Sequence, residues 1–107
     1  MSVLTGQRRR QLAASARDAA DLLRALANES RLRILCALEQ GEASVGDLQA
    51  RVGLSQSALS QHLAVLRAQG LVSTRRDAQR IYYHIADPAV VKVIATLASI
   101  YCPETSR

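Results

Sequence analysis

The sequence has no hydrophobic run that approaches the roughly 20 residues a membrane-spanning helix requires. Its N-terminus, MSVLTGQRRR, also lacks the apolar stretch of a secretory signal peptide. The two cysteines, Cys36 and Cys102, are too few and too far apart for the disulfide framework of a small secreted domain. We therefore expect a cytoplasmic protein that has no membrane partner and keeps both thiols reduced by default.

The residue sets of common enzymes are missing as well. There is no Ser-His-Asp set, no glycine-rich phosphate loop and no pair of carboxylates in an apolar setting. With 107 residues, 49% of them hydrophobic, the chain is long enough for one core and too short for two. We expect one non-enzymatic domain over residues 1–107 without a cofactor, in which residues 1–9 form a flexible arm and 103–107 a tail.

Positive charge is abundant. The formal net charge is +5, the isoelectric point is near 10.0, and nearly all of the cations are arginine. Arginine is the side chain best suited to bidentate contact with phosphate, so nucleic acid is a natural partner. Within the N-terminal arm, Arg8, Arg9 and Arg10 fit a segment that touches the DNA backbone as well as they fit a disordered tail.

Hydrophobic periodicity changes once along the chain. Apolar residues recur at helical spacing up to Gly70. Caps mark the boundaries of the helices: Asn28, Ser44, Ser55 and Asp87 as N-caps, Gly53 as a C-terminal stop. The predicted helices cover 7–27, 28–40, 44–53, 55–69 and 87–103. Period-2 patterns predict two strands, 71–76 and 80–85, around a turn at 77–79. The fold class is mainly α with a small β-hairpin, a winged helix-turn-helix in the order α-α-α-α-β-β-α.

The last predicted helix is apolar around most of its circumference. Between Val90 and Tyr101 its polar side chains are Lys92, Thr96 and Ser99, which form one narrow stripe. A terminal helix of so small a domain can bury only one side on its own core, and a symmetric partner is the simplest cover for the rest. We therefore predict a homodimer that forms through the first and last helices.

The helix predicted at 55–69 carries a polar face suited to reading DNA bases. Major-groove readout favours short or amide-bearing side chains, which reach base edges and both donate and accept hydrogen bonds. The DNA-reading candidates are Ser55, Gln56, Ser57, Ser60 and Gln61. The alternative is an ordinary solvated face, but such faces are usually rich in Glu and Lys, and this one carries no charge before Arg67. His62 falls on the inward side and is expected to be a structural, hydrogen-bonded histidine.

The predicted hairpin adds three arginines near its tip. Arg75, Arg76 and Arg80 are placed to contact phosphates or the narrow minor groove. The alternative is that these charges protect an edge strand from aggregation, and both roles are compatible.

These segments together resemble the ArsR/SmtB family of bacterial repressors. The resemblance lies in NESRLRIL at 28–35, SVGDL at 44–48, LSQSALSQHL at 54–63 and GLV at 70–72. It covers nearly the whole chain and implies a dimeric repressor that binds a double-stranded DNA operator with two-fold related half-sites. At the hairpin tip, Ala78 stands where the family often has glycine.

Family members are mostly metal sensors, but the ligands of such sites are missing. The segment 43–48 has no cysteine, and the last helix has no histidine or acidic residue between Pro88 and Cys102, so no metal ligand set is predicted. Cys36 and Cys102 instead resemble the pair of the persulfide- and redox-responsive branch typified by BigR, SqrR and HlyU. That resemblance implies that reactive sulfur species or an oxidant bridges the two thiols and lowers operator affinity. An inert core Cys36 with a stray terminal Cys102, a metal-responsive repressor and a protein-interaction module remain the alternatives.

Overall fold

The computed structural model describes residues 2–102, which form six helices and three strands. The helices are α1 (Gly6–Ala14), α2 (Ala16–Leu26), α3 (Glu29–Glu39), α4 (Val45–Val52), α5 (Gln56–Ala68) and α6 (Pro88–Tyr101). The strands are β1 (Ala43–Ser44), β2 (Val72–Asp77) and β3 (Arg80–Ile85). The predicted order of a helix pair, a hairpin and a last helix is confirmed. The predicted tail, 103–107, lies outside the described residues.

The N-terminal segment differs from its prediction in two ways. The single helix expected at 7–27 is divided at Ser15, whose φ of −99° and ψ of 15° interrupt the helix. Residues 6–9, expected in a flexible arm, instead begin α1, where the Thr5 hydroxyl accepts a 3.1 Å hydrogen bond from the Arg8 N–H. No residue of α1 is buried, so the core does not hold α1 in line with α2.

Local caps set the boundaries of α4 and α5. The Ser44 hydroxyl accepts a hydrogen bond from the Asp47 N–H at 3.1 Å, and the Asp47 carboxylate accepts one from the Ser44 N–H at 3.3 Å. These two bonds lower the pKa of Asp47. Gly53 ends α4 at a φ of 71°, which favours glycine, and Ser55 caps α5 by accepting a 3.1 Å hydrogen bond from the Ala58 N–H. The helix-turn-helix boundaries predicted from the sequence are thereby confirmed.

The strands form one antiparallel sheet in the order β1-β3-β2. In the hairpin, β2 and β3 pair from Val72 with Ile85 to Asp77 with Arg80, so the turn consists of residues 78–79. The predicted turn at 77–79 was one residue too long, because Asp77 still pairs. Ala78 occupies this turn at a φ of 58°, in the left-handed region. The short strand β1, which pairs with β3, was missed because two residues show no periodicity.

The core is entirely apolar. Among the described residues no polar or charged side chain is buried. The largest fully buried side chains come from α3, α4, α5 and α6: Ile34, Leu35, Leu48, Leu59, Leu63, Leu66 and Val90. Because α5 buries one whole face in this core, the direction of its opposite face is fixed.

Helix α6 is only partly covered. Val90 is its one buried residue, and Val93 and Ile94 pack half-buried against the core. Toward the end of the helix, Ile100 and Tyr101 are 60% and 77% exposed. Much of the apolar surface noted in the sequence is therefore open in a single chain. Within residues 2–102, no helix has the length and apolar character needed to cross a membrane.

Candidate nucleic-acid interface and thiol pair

Helix α5 presents a polar row to solvent. Leu59, Leu63 and Leu66 are buried on its inner side. Its outward row consists of Gln56, Ser57, Ser60 and Gln61, and all four are exposed together with the capping residue Ser55. The five DNA-reading candidates therefore lie at the start and on the outer side of one rigid helix, as their spacing predicted. The Ser55 hydroxyl already accepts the capping bond, so it has less capacity for a base than the other four side chains.

His62 lies behind this row, where the sequence placed it. It is half-buried, and its Nδ1 lies 3.4 Å from Nη1 of Arg31, a residue of α3. The Arg31 Nε also donates to the Ala25 carbonyl at the end of α2, at 2.5 Å. Arg31 thus connects α2, α3 and α5, a positioning contact that the sequence analysis missed. Within the segment NESRLRIL, nothing in the sequence distinguishes Arg31 from an ordinary surface arginine.

The hairpin, here called the wing, holds its three arginines in two different settings. Arg76 and Arg80 are exposed, and neither lies within 4.0 Å of an acidic side chain among the described residues. Arg75 is paired with Glu42, which precedes β1. Glu42 was also missed by the sequence analysis, because it lies 33 residues from Arg75 and no local pattern links them.

The two cysteines lie on helices that pack against each other, α3 and α6. Both are free and exposed, and Cys102 ends α6, where its N–H donates to the Ala98 carbonyl at 2.7 Å. The pKa of the Cys36 thiol is raised by its partial burial, by the nearby Cys102 thiol and by Glu39. Cys102 acts on the pKa of Cys36 only because the two thiols are near one another. The fold therefore brings together two residues from opposite ends of the sequence.

Cys36 also lines an open groove of about 570 Å³. Leu32, Ala37 and Val52 form its apolar lining. Its charged groups are Arg51 and the ion pair of Arg33 with Glu29. No three His, Cys, Asp or Glu side chains from the described part of the chain cluster in a way that would hold a metal ion.

Comparison with known proteins agrees with this architecture. The family model described as "Bacterial regulatory protein, arsR family" matches residues 28–74. The nodulation protein NolR of Rhizobium meliloti is 58% identical over 87 residues, which cover 81% of this chain and 71% of NolR. The chain belongs to the ArsR family.

Solved structures of related regulators share the fold over nearly their whole length. Reduced HlyU from Vibrio cholerae N16961 superimposes with a TM-score of 0.80 at 49% identity, covering 86% of this chain and 97% of HlyU. The transcriptional repressor BigR from Xylella fastidiosa gives a TM-score of 0.86 at 36% identity, covering 90% and 98%. This ArsR-family chain is thus a winged-helix transcriptional regulator, and its relatives are DNA-binding proteins rather than enzymes.

The match to the ArsR-family model does not cover all candidate residues equally. It includes Cys36 and the complete polar row of α5, because both lie within residues 28–74. Arg75, Arg76, Arg80 and Cys102 lie beyond it. The match to the family model therefore covers the helix pair, whereas the roles of the wing arginines and of Cys102 are argued from their positions in the structure.

Proposed function

We propose that this ArsR-family regulator is a dimeric repressor that loses operator affinity when Cys36 and Cys102 become bridged. The observation that carries the proposal is the proximity of the two thiols on packed helices: after partial burial, Cys102 is the next group that raises the pKa of Cys36. Its inducer is a reactive sulfur species or an oxidant, because both convert a thiol pair into a bridge. One structural relative is described as reduced HlyU, so a redox-defined form is recorded among similar proteins.

Operator binding is assigned first to the outer side of α5. Ser55, Gln56, Ser57, Ser60 and Gln61 would read base edges in the major groove. Arg76 and Arg80, neither of which lies within 4.0 Å of an acidic side chain among the described residues, would contact phosphates from the wing. Two such helices in a dimer would match half-sites about one helical turn of DNA apart.

A homodimer is supported by the open apolar surface of the N- and C-terminal helices. Leu12 of α1 and Leu23 of α2 are 54% and 57% exposed. Ile100 and Tyr101 of α6 are still more open. Apolar side chains concentrated on terminal helices are the usual material of a symmetric interface, and dimerisation is typical of this family.

The bridging chemistry balances with a persulfide, RSSH, as the inducer. The Cys102 thiolate attacks the terminal sulfur, takes up that sulfur atom and releases the thiolate RS⁻. The Cys36 thiolate then attacks the Cys102 sulfur, forms the disulfide and releases hydrosulfide. Each thiol loses one electron, and the transferred sulfur gains two. With a peroxide, Cys102 becomes a sulfenic acid, and water leaves when Cys36 condenses with it.

This order of attack follows from the state of Cys36. Its raised pKa reduces the thiolate fraction at neutral pH, so Cys36 is a poor first nucleophile. It suits the second step, in which the electrophilic sulfur on Cys102 is already beside it. A bridge would tie α6 to α3, the helix before the DNA-reading pair, and would bias the spacing of the two α5 helices.

The decisive experiment measures DNA affinity before and after treatment of the thiols. A duplex selected from a random library by the reduced protein serves as the probe, and fluorescence anisotropy follows its binding. An organic tetrasulfide or hydrogen peroxide should lower the affinity of the unaltered protein, and Cys36→Ser and Cys102→Ser should each abolish that response. Unchanged affinity after treatment, or a full response in Cys36→Ser, contradicts the proposal.

Mass spectrometry of the same samples identifies the bridge. A direct disulfide removes two hydrogen atoms, whereas a polysulfide bridge also adds the mass of each retained sulfur. An added zinc salt provides the remaining comparison, because an affinity that responds to zinc and not to sulfur or peroxide would assign the protein to metal sensing.

A further inference from the structure

Arg75 is held by three neighbouring groups on the surface of the wing. Its Nε donates to Glu42 Oε1 at 2.9 Å, and its Nη2 donates to Glu42 Oε2 at 2.5 Å. Its guanidinium carbon lies 4.9 Å from the centroid of the Tyr82 ring. The Asp77 carboxylate approaches the remaining Nη1 at 4.0 Å. One edge of the guanidinium is therefore hydrogen-bonded, one face lies over Tyr82, and the other edge is within ion-pair distance of Asp77.

The position of this contact in the sheet explains its reach. Arg75 lies on β2 directly opposite Tyr82 of β3, and Ser44 of β1 pairs with the other side of Tyr82. The Arg75 side chain therefore crosses the central strand over Tyr82 and ends at Glu42, immediately before β1. This bidentate contact spans all three strands and joins the wing to the segment that follows α3.

The electrostatics of the pair are consistent with its geometry. The hydrogen bonds from Arg75 lower the pKa of Glu42, and those to Glu42 raise the pKa of Arg75. Both groups therefore stay charged at neutral pH, and their charges cancel. The two side chains are 50% and 38% exposed, and ion pairs so exposed add little to stability. We therefore expect the pair of Arg75 and Glu42 to orient the wing rather than to stabilise the fold.

We propose that Arg75 is a wing-positioning residue, held by Glu42 and Tyr82, and that the phosphate contacts of the wing come from Arg76 and Arg80. Glu42 keeps Arg75 turned across the sheet and away from the DNA backbone. This assignment rests on the proposed operator binding and replaces the phosphate role that the sequence predicted for Arg75.

The salt dependence of DNA binding distinguishes the two roles. Each phosphate contact on duplex DNA contributes about 0.9 to the slope of log affinity against log salt concentration. Arg76→Gln and Arg80→Gln should each make the slope shallower by about that amount. Arg75→Gln should weaken binding at every salt concentration and leave the slope nearly unchanged. The probe is a selected duplex about three helical turns long.

A double-mutant cycle with Glu42→Gln sharpens the test. Neutralising Glu42 releases Arg75, so this variant should bind with a steeper slope than the unaltered protein. In the Glu42→Gln background, Arg75→Gln should then remove about 0.9 from the slope, an effect absent when Glu42 is intact. Arg33→Gln is the matched control, because it also removes an arginine from an ion pair, with Glu29 on α3, and should leave the slope unchanged.

The outcomes separate this inference from the function on which it rests. An Arg75→Gln slope as shallow as that of Arg76→Gln, with Glu42 intact, overturns the positioning role while operator binding stands. Failure of the unaltered protein to bind any selected duplex in a salt-dependent way overturns the proposed function itself. Thermal unfolding monitored by circular dichroism verifies that each variant is folded, and amide hydrogen exchange should be faster in β2 and β3 of Arg75→Gln.

Discussion

Cys36 and Cys102 present their thiols to solvent from two packed helices, yet the environment of Cys36 does not favour the thiolate. Partial burial, the Cys102 thiol and the Glu39 carboxylate all raise its pKa. Low reactivity at rest suits a sensor that must ignore weak electrophiles and respond when a strong one is present. The same causes make the reactivity of Cys36 adjustable by single substitutions around it.

We expect Glu39→Gln to make Cys36 react faster. Removing the negative charge lowers the pKa of the thiol, so the thiolate fraction at a pH below that pKa increases. In a Cys102→Ser background, where Cys36 is the remaining thiol, the pH profile of iodoacetamide labelling should shift to lower pH. Glu29→Gln is the control, since Glu29 lines the same groove but is paired with Arg33 and does not raise the pKa of Cys36. Equal shifts in both variants would contradict the assigned cause.

At the scale of single residues, the sequence predicted where individual side chains lie better than it predicted which residues they contact. The polar row of α5 followed from helical spacing, and the inward position of His62 followed from the same wheel. The ion pair of Glu42 with Arg75 did not, because a contact across 33 residues is created by strand order and leaves no local pattern. Pairing of the two cysteines likewise came from family resemblance rather than from periodicity.

At the scale of single elements, the wing ends in a turn with an unusual residue. Ala78 has a φ of 58°, a conformation that costs a residue with a Cβ about 1 kcal/mol. Asp77 and Arg80 pair on either side, so the two-residue turn has no freedom to relax. The turn therefore stores strain at the tip of the element that is assigned to the DNA backbone.

Ala78→Gly should raise the free energy of unfolding by about 0.5 kcal/mol, the relieved strain less the entropy of the freer unfolded chain. Thermal unfolding should move upward by about 2–4 °C. The matched control is Ala50→Gly on the exposed side of α4, which should lower the free energy of unfolding by about 1 kcal/mol. The same chemical change is thus expected to raise the free energy of unfolding at residue 78 and to lower it at residue 50. If both variants lower the free energy of unfolding by similar amounts, Ala78 is not strained.

The starts of four helices were predictable from their capping side chains, whereas the Thr5 cap of α1 was missed. Asn28, Ser44, Ser55 and Asp87 all accept a hydrogen bond from a backbone N–H of the first turn that follows, as expected for N-caps. The break at Ser15 was not predictable, because the apolar spacing of 7–27 continues across it and no proline or glycine interrupts it. Strand β1 depends on pairing with Tyr82 and Tyr83 across the fold rather than on its own two residues.

At the scale of the whole molecule, the apolar core and the apolar surface are separate. The core is formed by α3, α4, α5 and the start of α6, together with the end of α2 and the strands β1 and β2, and no polar side chain is buried among the described residues. The open apolar side chains are concentrated on the terminal helices instead. The sequence predicted this surplus from α6 alone, because a small domain cannot cover such a helix on all sides.

Ile100→Glu should convert the proposed dimer to a monomer. A buried carboxylate in an apolar interface is costly, and Ile100 is 60% exposed in the single chain, so the substitution leaves the core intact. Sedimentation at micromolar concentration measures the change. Ile81→Glu, at an apolar residue of the wing that is 38% exposed, is the control and should sediment like the unaltered protein. A dimer that survives Ile100→Glu would remove α6 from the interface.

Because α6 is anchored near its N-terminal end, the sensitivity of the proposed regulator to its inducer would depend on the concentration of the protein. Cys102 lies about 18 Å along the helix from the buried Val90, so in the proposed dimer the second chain would hold the thiol end in place. Below the concentration at which chains associate, the two thiols would meet less often and bridging would slow. The abundance of the regulator would then adjust the inducer level that releases its genes, and expression of the sensor would itself become a control of sensitivity.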